Sequence, residues 1–107
     1  MKLNNFVIIF IASGADPKIH RSVIKTDFVT YTTIGIDPLH KEQVIEIAKE
    51  SVANGAQIIE LCGGFGPIWI AKVIEAVKGQ VPVGGVFYGP EARQSLVDLG
   101  LAQTLKF

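Results

Sequence analysis

The sequence has a single cysteine, Cys62, among 107 residues. One thiol cannot close an internal disulfide. That fits a reducing compartment, and a cytoplasmic protein is expected. The two histidines, His20 and His40, stand apart from each other and from the cysteine. No metal-ligand spacing results, so no metal is expected. Neither sign of charge dominates, since ten Lys and Arg balance ten Asp and Glu. Without a basic block or stripe, nucleic acid is not an expected partner. Long apolar runs are also lacking, and no stretch approaches the ~20 residues that would span a membrane. The opening "MKLNNFVIIFIASGA" has the lysine, apolar run and small residues of a leader peptide. Its apolar run, 6–12, is at the short limit for a leader. We read it as a strand buried on both faces.

What is present is punctuation. Four of the five prolines follow Asp or Gly, as Asp16-Pro17, Asp37-Pro38, Gly66-Pro67 and Gly89-Pro90. Proline suits the first helical position, where its missing N–H would have no partner anyway, and Asp or Gly suits the cap before it. Each pair therefore reads as a helix start. After Pro38, Val44, Ala48 and Val52 recur at helical spacing, with charged residues including Lys41, Glu42 and Lys49 on the other side, and Asn54-Gly55 ends the pattern. After Pro90, Ala92, Leu96 and Leu99 form a shorter stripe closed by Gly100. The segment after Pro17 is shorter still, with Ile19, Val23 and Ile24.

A strand-like run precedes each helix start: 6–12, 28–36, 57–62 and 81–88. The tail "LAQTLKF" (101–107) could add a fifth, weaker strand. Alternating strands and helices imply a parallel sheet with right-handed crossovers. The expected fold is one α/β domain over 1–107, a flavodoxin-like, three-layer open parallel sheet. With the runs numbered in chain order, the strand order is 2-1-3-4. The threonine-rich 28–36 run would suit an edge. The alternative is half of a (β/α) barrel, because a full barrel needs ~250 residues.

In an open parallel sheet, ligands bind beyond the carboxyl ends of the strands, where strand order reverses. Here that point lies between the first and third runs, at the turns "ASGADP" (12–17) and "CGGFGP" (62–67). Both lead into helix N-termini, which favour anions. Gly63, Gly64 and Gly66 are thus candidate ligand-binding residues, with Ser13 as a hydroxyl donor. Tyr88 and Arg93, from "FYGPEARQS", are further candidates, Arg93 as a clamp for a carboxylate or phosphate. "GGFG" is neither a Walker loop nor a dinucleotide fingerprint, so no cofactor is assigned. Glycines in a turn also serve packing alone.

Two catalytic candidates sit on the third run. Glu60 is a charge on a strand read as buried, which needs a partner or a crevice. It is a salt-bridged or solvated strand-end residue, or the acid or base of a site. Cys62 lies just before a helix, where thiols can become nucleophilic. A lone cysteine is more often a small buried hydrophobe, and no base stands near it in sequence.

The helix over 67–78 carries polar residues only at Lys72, Glu75 and Lys78. A surface helix of a small monomer needs a wider polar face. Trp69 and its neighbours are therefore expected to bury against a second copy of the chain, in a homo-oligomer.

The stretches "IASGADPKIHRSVI", "IIELCGGFGP" and "VPVGGV" resemble a small bacterial domain family of unknown function. The resemblance covers most of the chain. It implies a small, soluble α/β domain and brings no catalytic motif. Three readings stand: a domain binding a small anionic ligand, a small enzyme using Glu60 or Cys62, and an oligomerising structural module.

Overall fold

The computed structural model describes residues 2–100, and the expected strand at 101–107 lies outside them. Strands β1 (Asn5–Ile11), β2 (Arg21–Lys25), β3 (Thr30–Ile36), β4 (Ile58–Leu61) and β5 (Val83–Gly85) form one open sheet. The order is β2-β3-β1-β4-β5. Helices α1 (Gln43–Ala53), α2 (Gly66–Ala76) and α3 (Arg93–Asp98) complete the fold. The four expected strands appear in the expected order, as β3-β1-β4-β5, with all three pairings parallel. β1 lies between β3 and β4, out of chain order, so the sheet is the open form and not the half barrel, whose strands would follow chain order.

One helix start is overturned. Asp16-Pro17 begins a single turn, in which the Asp16 carbonyl accepts from Ile19 and His20 at 3.0 and 2.7 Å. The chain then enters β2, antiparallel to β3. "RSVIK" is too short and too β-branched to sustain a helix, and it fits the pleated surface offered by "TYTTIGI". The edge is therefore β2, and the threonine-rich β3 lies one strand in.

This exchange decides the layering. The crossovers from β3 through α1 to β4, and from β4 through α2 to β5, step across the sheet in the same direction. With their usual right hand, both helices fall on one face. There Val7, Ile9, Ile34, Ile36, Ile59 and Leu61 meet Val44, Ile47, Ala48, Val73 and Val77 in a single core. The first connection steps the opposite way, and a helix there would have covered the other face. In its place is the strand β2, so that connection puts no helix on the other face. Alternation puts Phe6, Ile8 and Phe10 there, together with Tyr31, Thr33, Ile58 and Glu60. None of these seven is buried. Their own rings give partial cover: Phe6 stacks on Tyr31 with centroids 4.4 Å apart.

The remaining proline pairs behave as expected, with modifications. Pro38–His40 and Pro90–Ala92 are 3₁₀ turns that lead into α1 and α3. Asn54-Gly55 ends α1, with Gly55 at φ 95°, a left-handed value that favours glycine.

Candidate functional site

The turn after β4 forms where two paired strands separate. The Cys62 N–H donates to the Ile9 carbonyl at 3.0 Å, as in a regular ladder. The next rung of a parallel ladder would bring the Ile11 N–H to the Cys62 carbonyl. Instead the Cys62 Sγ accepts that N–H at 3.2 Å. The freed carbonyl accepts from Phe65 at 3.1 Å and closes the turn. The thiol thus replaces a main-chain acceptor at the end of the ladder, which gives Cys62 a structural reason to be there. Gly64 lets this turn lie against β1, because a Cβ on it would come within 3.0–3.1 Å of the Ile11 side chain. Helix α2 then starts at Gly66, φ 78°, with no side-chain cap and with Pro67 in its first turn.

The end of β3 ties this turn to the one after β1. Asp37 accepts from the Leu39 N–H at 2.8 Å and from the Gly14 N–H at 2.9 Å. These two bonds, Leu39's first, hold its carboxyl below the usual carboxylate range, and His40 adds a smaller pull. Lys41 Nζ donates to the Gly64 carbonyl at 3.0 Å. Partial burial lowers the pKa of its ammonium, and the neighbouring Cys62 opposes that shift. Three turns, after β1, β3 and β4, are therefore pinned together by Asp37 and Lys41. Sequence reasoning placed Lys41 on a solvated helix face and gave Asp37 only a capping role. The available signal was that Asp37-Pro38 follows a strand that the same topology sets beside β1.

The Asp37 bonds have a definite pH dependence. A carboxyl with a lower pKa folded than unfolded stabilises the fold above its unfolded value and loses that contribution as pH falls through the folded value. The Gly14 and Leu39 amide resonances are expected to titrate together, with a midpoint below the unperturbed 3.8, and Asp37→Asn should abolish the transition. A shared midpoint at or above that value would show that the carboxylate does not hold both amides.

The other sequence candidates fall in different places. Tyr88 reaches the turn, its ring 3.4 Å from where a Cβ on Gly63 would stand. Ser13 shares a pocket of ≈ 280 Å³ with Phe10, Ala12, Gly14, Ala15 and His20. The Asp16 N–H donates to His20 Nδ1 at 2.8 Å, which leaves the ring proton of the neutral tautomer on Nε2. Glu60 is exposed on the face opposite the core, between Ile8 and Gly84, with no ion-pair partner among the described residues. Its exposure matches the solvated reading of this strand charge. Arg93 is an exposed residue at the start of α3, and no hydrogen bond or ion pair joins it to the turn. Trp69 is half-buried against the core, with Lys72 Nζ 4.3 Å from its ring centre. On α2, Ile68 and Ile74 are exposed. Among the described residues, no three His, Cys, Asp or Glu side chains are grouped to hold a metal. No helix there is long and apolar enough to cross a membrane.

A family model described as a family of unknown function (DUF6506) matches residues 4–100. No curated protein and no solved structure matches the chain.

Proposed function

We infer that this chain, which belongs to the DUF6506 family of unknown function, binds a small anion at the joined turns after β1, β3 and β4. One observation carries the reading. The N–H groups of Gly63 and Gly64 have no acceptor among the described residues, beside an uncapped helix start and a lysine ammonium. An anion there would accept from the two amides, and the N-terminal end of α2 would favour its charge. Gly66 opens the helix, Tyr88 flanks Gly63, and Ser13 stands on the neighbouring turn. Thermal unfolding with phosphate, nucleotides and keto acids tests the reading. A ligand at ~100 times its dissociation constant should raise stability by about 2.7 kcal/mol. Lys41→Met should weaken that response. No stabilisation by any of these anions would overturn the proposal.

A second reading, self-association, is favoured by the sheet face opposite the core, with its incompletely buried row of Phe6, Ile8, Phe10, Tyr31 and Ile58. The exposed Ile68 and Ile74 of α2 are a smaller apolar surface, and Trp69 already packs within the chain. Light scattering should then give at least twice the single-chain mass. Ile24→Glu, at an exposed position on the same face, should reduce it. A wild-type mass of one chain at high concentration would remove this reading.

A further inference from the structure

On the helix-bearing face, α1 stops short of the added strand β2 and leaves a cleft of ≈ 300 Å³ between them. Its floor is apolar, formed by the buried Val7, Ile34 and Ala56. Its walls are polar. Asn5 and Thr30 are paired neighbours on β1 and β3, and Thr32 stands between Val7 and Val23. Asn54 reaches in from the end of α1. Across the mouth, Arg21 Nη1 meets Glu50 Oε1 at 3.3 Å, while Arg21 Nε donates to the Pro17 carbonyl at 2.7 Å.

Three properties narrow what would fit. The side-chain amides of Asn5 and Asn54 and the hydroxyls of Thr30 and Thr32 make no hydrogen bond to any described residue. None of the cleft's polar atoms is sealed from solvent without a partner. These four groups therefore remain available, and amides and hydroxyls both donate and accept. Second, the only two charges in the lining, Arg21 and Glu50, pair with each other, so no net charge awaits a counter-ion. Third, the volume is at the small end of ligand pockets, about 300–1,000 Å³, with room for one ring and not for a nucleotide. We propose that this cleft binds a small, neutral, polyhydroxylated ring compound of the monosaccharide or cyclitol class. Its hydroxyls would meet Asn5, Thr30, Thr32 and Asn54, and its C–H face would lie on Val7, Ile34 and Ala56. The proposal is independent of the anion site, because it uses the opposite end of β1 and none of the residues at that site.

The test is an amide NMR titration of the full chain with glucose, galactose, mannose, ribose and myo-inositol. Glucose 6-phosphate and glucuronate serve as charged counterparts. The expected result is saturable shifts at Asn5, Thr30, Thr32 and Asn54 with at least one neutral compound, weaker with its charged analogue. Thr32→Val keeps the side-chain shape and suits a strand. It should weaken binding about tenfold, equivalent to about 1.4 kcal/mol, with the remaining spectrum unchanged. No saturable shift at these residues with any neutral compound would overturn the proposal. So would unaltered affinity in both Thr32→Val and Asn54→Ala, or tighter binding of the charged analogues.

Discussion

Ile9→Ala is expected to destabilise the protein by about 2–5 kcal/mol, the usual cost of emptying a fully buried aliphatic site. Ile9 is 0% exposed and packs into the single core beneath α1 and α2. Ile8→Ala, one residue earlier on the same strand, should cost far less, because Ile8 faces away from that core and is not buried. Urea unfolding of both variants reads the difference directly. Similar losses would mean that both faces of β1 are buried in solution, and the one-sided core would be wrong. If Ile8→Ala loses stability only at high protein concentration, a second copy covers that face, because assembly contributes stability by mass action.

Gly64→Val should be destabilising by about 1–3 kcal/mol, the range for inserting volume into a packed contact. The added Cβ would stand 3.0–3.1 Å from two side-chain carbons of Ile11, so the turn must lift away from β1. That movement also strains the Lys41 bond to the Gly64 carbonyl and the Cys62 sulfur contact to the Ile11 N–H. Any anion response should therefore disappear together with the stability. Gly63→Ala is the control: its Cβ would make an ordinary 3.4 Å contact with the Tyr88 ring. It should shift stability by no more than about 0.5 kcal/mol, as surface substitutions do. Equal losses in the two variants would count against the close packing at Gly64.

Much of the fold was legible because its signals are local. The 6–12 run, the helical spacing of Val44, Ala48 and Val52, and the Asn54-Gly55 stop each act within a few residues, and the strand order followed from their alternation. The error after Pro17 came from the same local logic. Asp-Pro starts a turn of either kind, and only the distant partner at Thr30–Ile36 selects a strand. Glu60 was legible as a charge needing a partner or solvent, and the connection that became a strand helps leave it solvated. At the site, the glycines of 62–66 were visible as a turn. Asp37 and Lys41 were not visible as its partners, because bonds spanning 23 residues leave no mark in local spacing.

The added strand also affects how the molecule tolerates crowding. Residues 20 and 26 bond across to 35 and 29, so along β2 the main-chain groups of Val23 and Lys25 point away from the sheet. Such an open edge is a template for pairing with any other extended chain. Here Val23 sits between Arg21 and Lys25 on the same face. Two molecules docking edge to edge about Val23 would set each arginine opposite the other molecule's lysine, and like charges directly opposite repel. The strand that removed a helix from one face thus carries its own deterrent against fibre-like stacking. At this margin the charges therefore oppose pairing with a second copy of the same strand.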